Sequence, residues 1–519
     1  MAFCSLLLSL LVAAAPSAAA DTVAVALFCD TGTREDSLLY RPDAGGDHVR
    51  REECDAARAA IDAINDKSDG AFDDLLPDTQ LVPYPLSYNS SRCGPGDQEM
   101  RTAWGTLPVH PVASIGPGSD ECVEQAALFI HFYAIGSGSV VMSEASTGTD
   151  VYCQNLVRLS SPEQVRNEAL AAVASHFGWA RVAIVYDSSD AWASDAAIQF
   201  GKGFEAHGGT ILGDACVKEA GTTAAACTAG GRPGVRFEGM SAVVADGVLD
   251  AIVATGARII YIAARPADQR TLYERIAQTG KCSGAGYGLL SAWLSDDLFL
   301  GSDGTASADA VAGARGLLLP RETVDTTGTV AQTFLDARAA GLDTTVCEGD
   351  MVDGRYCDGD GDAATLGGYG PQIVDAVYTL AKALDAMEAA DRQDPDEVFD
   401  AIEDLGDFEG FSGTVSLDKY EDRVGSMTIV NLQLSPAGEP VFVDVGKVEG
   451  GAFALDSGAA VIFPGGTTDV PADSDTLDVF SNNHALPVAP NGALAAGPGR
   501  ALPAALGLAL SWAFSQIRY

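Results

Sequence analysis

The chain has 519 residues, 47 % of them hydrophobic and 7 % aromatic, which suffices for two or three folded units and speaks against wholesale disorder. Lys and Arg total 31 against 72 Asp and Glu, a formal net charge of −41. A field of that sign repels nucleic acid and anionic membrane surfaces, so polyanionic partners are excluded and the acids read first as a solvated surface.

In chain order, residues 1–20 carry an apolar run from Leu6 to Ala15 and then small residues ahead of Asp21, the pattern of a cleaved secretion signal. Of the 11 cysteines, Cys4 falls in that segment and the remainder form an even set, which in an exported chain reads as disulfides. CxxC spacing does not occur, which argues against zinc clusters and thioredoxin-like chemistry. Close spacing favours Cys216 with Cys227 and Cys347 with Cys357 as local loops; Cys54 with Cys93 and Cys122 with Cys153 are further candidates, and connectivity stays open. "NSS" at Asn89 is an N-glycosylation acceptor.

The run "TVAVALF" reads as a strand buried on both faces, and "ECDAARAAIDAIND" as a helix. "TQLVPYPL" and "PVASIG" are strands; "SDECVEQAALFIHFYAI" is a helix with Ser119 as its candidate N-cap, before the strand "GSVVMSEAS". The rhythm restarts with the helix "PEQVRNEALAAVASHFG" and the strand "ARVAIVYD", and continues through "GTILGDACV", "ARIIYIAAR" and "GYGLLSAW" with helices between. Strand and helix in alternation predict parallel sheets with right-handed crossovers. Helices over "GPQIVDAVYTLAKALDAMEAAD" and "DPDEVFDAIEDL" precede "TVSL" and "SMTIVNLQL", two apolar runs separated by "DKYEDR" and read as a hairpin.

Taken together, "AARAAIDAIND…LLPDTQL…NSSRC", "SIGPGSDECVE", "VVMSEASTGTDVY", "HFGWARVAIVYD", "VDAVYTLAKAL" and "FEGFSGTVSLD…DRVGSMTIVNLQL" resemble the receptor family ligand-binding region. That family includes ectodomains of class C G-protein-coupled receptors and natriuretic-peptide receptors and is similar to bacterial branched-chain amino-acid-binding proteins. The resemblance runs from Thr22 to Phe453. It implies an α/β fold of the periplasmic-binding-protein type I kind: two Rossmann-like lobes with parallel sheets, joined by three crossover strands. The expected division is a signal over 1–20, lobe one over 21–158 and 321–405, lobe two over 159–320 and 406–456, a flexible linker over 457–500 and an apolar tail over 501–519. The hairpin would then complete the edge of the second sheet.

Ligands of such sheets collect at the carboxyl ends of strands. "SIGPGSD" and "SEASTGTD" end two strands this way, and their glycines let backbone amides approach a guest. The resemblance implies that Ser119, Ala145, Ser146 and Thr147 hold the carboxylate and amine of an amino-acid ligand; the alternative is that Ser119 caps its helix while Ser146 and Thr147 complete a turn. Asp120 and Glu121, in the first turn, would repel a carboxylate. In glutamate-binding members acids meet the amine at places matched here by Ala172 and Ser291, so both amine-side carboxylates are expected to be missing. An aromatic after "VAIVYD" packs on the ligand in the family, a role open to Tyr186 or Trp192, and Trp192 is expected on a loop.

Asp358, Asp360 and Asp362 alternate as hard-cation ligands do, but Ala363 and Tyr369 depart from a calcium loop, so an acidic loop pinned by Cys347 and Cys357 is expected and no metal. Neither HExxH, a GxSxG elbow, a P-loop nor a dinucleotide fingerprint occurs, which points to a binder needing no cofactor rather than an enzyme. Residues 464–500 are rich in Pro, Gly and Ala; "ALPAALGLALSWAF" is apolar but short of the roughly 20 residues of a spanning helix, so a lipid-anchor signal after "NGA", a membrane-edge segment or a truncated receptor is expected. The expectation is a cell-surface or secreted receptor-type module closing on a small molecule and signalling through a dimer partner or co-receptor. A solute-binding protein for nutrient uptake and a decoy or adhesion ectodomain are the alternatives.

Overall fold

The computed structural model describes residues 21–30 and 51–473 apart from 69, 71, 89–92, 94–98, 134–137, 150–154, 220–232, 293–295, 300–305, 342–368 and 437. Asn89, Cys153, Cys227, Cys347, Cys357 and the acidic loop at Asp358–Asp362 lie outside those residues, as do the expected signal and the apolar tail.

The first run of elements is β1 (Asp21–Asp30), α1 (Arg51–Asn65), β2 (Thr79–Tyr88), α2 (Glu99–Gly105), β3 (Ala113–Ile115), α3 (Asp120–Tyr133), β4 (Val140–Ser143) and β5 (Leu156–Arg158). Its strands form a parallel sheet in the order β2-β1-β3-β4-β5. Successive side chains of a strand point to opposite faces, and β1 buries both. Val23, Val25 and Leu27 join the core with α1, while Ala26 and Phe28 join a second core with Trp104, Val123 and Ile130.

The chain continues through α4 (Glu163–His176), β6 (Arg181–Asp187), α5 (Ala191–Ala206), β7 (Thr210–Leu212), β8 (Ala215–Val217), β9 (Val235–Phe237), α6 (Ala242–Thr255), β10 (Ile259–Ala263), α7 (Pro266–Thr279), β11 (Gly288–Ser291), α8 (Ala308–Ala314) and β12 (Leu317–Glu322). The run read as one strand, "GTILGDACV", is split into β7 and β8 at Gly213, whose φ of 88° is open to glycine at no steric cost. Then α9 (Thr329–Gly341), α10 (Gly370–Ala386) and α11 (Pro395–Glu403) return to the first sheet, where Phe334, Val374, Val377, Leu380 and Val398 are buried in its core. The last strands are β13 (Phe408–Gly410), β14 (Gly413–Val415), β15 (Met427–Leu434), β16 (Pro440–Glu449) and β17 (Ala452–Leu455).

The second sheet runs β17-β16-β15-β12-β11-β10-β6-β9-β8, with β7 also on β6. It is parallel from β8 to β12 and antiparallel from β12 to β17. The fold is therefore the two-lobe α/β arrangement, with one wholly parallel and one mixed sheet. Of the expected hairpin only a short antiparallel bridge forms, between Leu417 and Arg423 across the charged turn, and the two apolar runs do not pair with each other. β14 pairs with β13 in a ribbon whose Phe411 and Val415 belong to the first core, and β15 lies inside the second sheet between β12 and β16 rather than at its edge. Alternating apolar residues identify a strand but not its partner. The chain thus stays with the first core well beyond residue 406.

Three stretches run side by side between the sheets. Arg158 N donates to Glu421 O at 2.9 Å, Arg423 N to Arg158 O at 3.0 Å and Thr323 N to Ser426 O at 3.0 Å. Buried ion pairs sit on them. Arg158 holds Asp422 through two bonds, Arg423 Nη1 meets Asp375 Oδ2 at 2.8 Å, and Arg166 Nη2 meets Glu322 Oε1 at 3.1 Å. Asp375 also accepts from the Phe411 and Ser412 amides, and a Cβ at Gly410 would lie 2.4 Å from its Oδ1.

Disulfides join Cys29 to Cys54 and Cys93 to Cys122, with Cα–Cα distances of 5.4 and 4.9 Å. This corrects the pairing of Cys54 with Cys93 and of Cys122 with Cys153: the end of β1 meets α1, and the stretch after β2 meets the first turn of α3. Cys216 is disulfide-bonded, whereas Cys282 is a buried free thiol. Residues 457–473, expected to begin a linker, are packed: Val461 and Phe463 are buried, Trp179 Nε1 donates to Pro471 O, and the Ala180 amide donates to Asp473. Among the described residues no helix is long and apolar enough to cross a membrane.

Candidate functional site

Two turns leave the first sheet at adjacent strand ends: residues 116–119 after β3 and residues 144–149 after β4. They are tied together by bonds from Gly116 N to Met142 O at 2.8 Å and from Ser143 Oγ to Pro117 O at 2.8 Å. The Glu144 side chain lies against the first turn. A Cβ at Gly118 would come 2.7 Å from its Oε1, so glycine there makes the room that the carboxyl occupies. Glu144 is 2 % exposed, and burial pushes its carboxyl up to about 7. Its Oε2, like Ser119 Oγ, is buried without a hydrogen-bond partner among the described residues.

The second turn gathers donors. Asp120 Oδ1 accepts from Ser146 Oγ at 2.6 Å, from the Thr147 amide at 2.9 Å and from the Gly148 amide at 3.0 Å. Ser146 and Thr147 are buried and Ala145 half-buried. The same turn reaches the second sheet's helices. Thr147 Oγ1 donates to Glu163 Oε1 at 2.9 Å, and the Glu163 amide donates to Thr147 O at 2.7 Å. Trp192 Nε1 also donates to Glu163 Oε1, at 2.8 Å, while Asn167 Nδ2 donates to Glu163 Oε2 at 2.9 Å and Asn167 Oδ1 accepts from the Tyr261 hydroxyl. Beside them Thr149 Oγ1 donates to Asp195 Oδ1 at 2.8 Å, and Gln199 Nε2 donates to the same oxygen at 2.7 Å. Burial raises the Glu163 carboxyl above its ordinary value, opposed by the Arg166 charge and by the bonds from Trp192 and Thr147.

The site residues expected from the sequence are thus partly brought together. Ser119, Ala145, Ser146 and Thr147 share the two strand-end turns. Ser119 stands where an N-cap stands, its carbonyl accepting from the Val123 amide at 2.9 Å, but its hydroxyl is unpartnered rather than capping. Trp192 is in the first turn of α5, not on a loop; it is 8 % exposed, and the Arg265 guanidinium lies 5.2 Å over its ring. Tyr186 is inside β6, which ends at Asp187 as expected, and its side chain is in the core rather than on the loop that follows. Ser291 closes β11 fully buried and donates to Gln269 Oε1 at 3.0 Å, which also accepts from Tyr273. Ala172 is core on α4.

Three carboxylates were not foreseen in these roles. Asp120 was expected only to repel a guest, and Glu144 and Glu163 went unremarked, although Glu163 supplies an acid on α4 where none was expected. A first-turn acid after a proline reads as a complement to the helix dipole. Its contact with Trp192 joins residues 29 apart and leaves no local signal.

No curated protein sequence matches the chain. The sequence pattern described as the receptor family ligand binding region matches residues 53–435, most of the chain, which therefore belongs to that family.

Proposed function

We propose that this is an extracellular receptor-type module that closes its two lobes on a small, amino-acid-related molecule held between the β4 turn and the helices α4 and α5. The observation that carries the reading is the Thr147–Glu163–Trp192 junction, in which one buried carboxylate is shared by a strand-end turn of the first sheet and two helices of the second. A guest inserted among these groups touches both lobes, so it stabilises the shut state more than the open one and shifts their populations. The exported character read from residues 1–20 and the two disulfides of the first sheet accord with an extracellular setting. Closure would be passed on through a dimer partner or co-receptor, with membrane attachment through the apolar tail or a lipid anchor.

The test is a thermal-shift screen of the purified chain against amino acids, amines, nucleotides and short peptides. A ligand at 100 times its dissociation constant adds about 2.7 kcal/mol of stability. The expected outcome is a class of ligands that raises the melting temperature and loses its effect in Thr147→Ala and Trp192→Ala. A folded protein whose melting temperature no compound shifts would overturn the reading.

A further inference from the structure

We propose that Asp120 is a built-in occupant of the position that would receive a guest's carboxylate, so that the cleft selects cationic amines lacking a carboxylate. The inference rests on the reading of the β4 turn as the ligand site and specifies what that site takes. Three donors, the Ser146 hydroxyl and the Thr147 and Gly148 amides, converge on one oxygen at 2.6 to 3.0 Å. This is the arrangement an incoming carboxylate would need, and it is already filled from within the chain. A second carboxylate would have to displace Asp120 and leave that charge without its donors, or bind beside it and meet its repulsion.

The surroundings carry the same sign. Asp195 lies at the far end of the turn, on Thr149, and Glu163 under Thr147. Of the guanidiniums close by, Arg158 is committed to Asp422 and to Gly148 O, whereas Arg166 holds Glu322 through Nη2 and keeps a buried Nε without a partner among the described residues. On the adjoining turn, Ser119 Oγ and Glu144 Oε2 are buried oxygens without partners among the described residues, and each can accept from an ammonium N–H. Around the turn the carboxyl groups of Asp120, Glu144, Glu163 and Asp195 thus outnumber the one guanidinium nitrogen left without a partner, Arg166 Nε.

The test titrates matched pairs into the wild-type chain and Asp120→Ala by calorimetry: histidine with histamine, tyrosine with tyramine, tryptophan with tryptamine, phenylalanine with phenethylamine. For the wild type, in the pair that binds, the amine is expected to bind at least about tenfold more tightly than its amino acid; each tenfold is about 1.4 kcal/mol. Asp120→Ala should erase or reverse that preference by admitting the amino acid. Should Asp120→Ala not fold, Asp120→Asn, which keeps the size and loses the charge, carries the comparison. A wild type that prefers amino acids, a folded variant with an unchanged preference, or silence of both proteins towards all eight compounds would each overturn the proposal. Silence here combined with a Thr147-dependent hit elsewhere in the broader screen would sink only the amine specificity and leave the closing module standing.

Discussion

Thr147 and Glu163 hold one another twice, through the hydroxyl to Oε1 at 2.9 Å and through the Glu163 amide to the Thr147 carbonyl at 2.7 Å. The contact joins the first sheet's β4 turn to the N-terminus of α4. Removing the carboxyl leaves the Thr147 hydroxyl and the Trp192 indole N–H without their acceptor in a buried place, and leaves the Asn167 amide only its bond to the Glu163 carbonyl. Glu163→Ala is therefore expected to cost about 2–4 kcal/mol in chemical denaturation, and Glu163→Gln, which retains one acceptor oxygen, about half as much. Equal costs for the two variants would mean that packing, not the shared acceptor, dominates there.

Glu144 makes stability depend on pH in a stated direction. Its folded carboxyl is raised to about 7 from an ordinary 4.5, so between those values the folded chain binds more proton than the unfolded one. By linkage its contribution is fully present below the unfolded value and is lost as pH rises through the folded one, about 3 kcal/mol in all. Glu144→Gln, which mimics the neutral acid, should remove that slope. The difference between wild type and variant, measured by denaturation at several pH values from 4 to 8, should change across that window; parallel curves would contradict it.

The ion pairs between the sheets give a double-mutant test. Arg158→Met alone strands Asp422, which is 8 % exposed, and should cost about 3–5 kcal/mol. Arg158→Met with Asp422→Leu removes both charges and should cost markedly less than the sum of the two single changes, because each single change leaves a buried charge uncompensated. Additive costs would contradict a coupled pair.

Peptide mapping under non-reducing conditions should recover Cys29 linked to Cys54 and Cys93 linked to Cys122. The Cys29–Cys54 loop spans 25 residues, and Cys29→Ser with Cys54→Ser should cost about 3 kcal/mol on the chain-entropy account. Burial pushes the Cys282 thiol up to about 12, so it should resist alkylation in the native chain and react after unfolding. Alkylation of Cys282 without unfolding would contradict its burial.

Much of the architecture was legible because strands buried on both faces, such as β1 with Val23, Val25 and Leu27 on one face and Ala26 and Phe28 on the other, leave continuous apolar runs between amphipathic helices. What failed was partnership. The residues of β14 and β15 looked like one hairpin, yet they pair with β13 and with β12 and β16, because apolar alternation identifies a face and not a neighbour. The cysteines behaved likewise, pairing across a sheet–helix junction that spacing does not reveal. At the site, Ser146 and Thr147 stood out as small polar residues at a strand end. Asp120, Glu144 and Glu163 did not, since a carboxylate's use depends on donors brought to it from elsewhere in the fold.

The most direct measurement of the account is hydrogen–deuterium exchange of the intact chain with and without a saturating ligand from the thermal-shift screen. Amides at 144–149 on the first sheet and at 163–167 and 190–199 on the second should slow together, because closure on a shared guest protects both walls. Protection confined to one wall, or placed away from both, would contradict a cleft that closes around its ligand at the Thr147–Glu163–Trp192 junction.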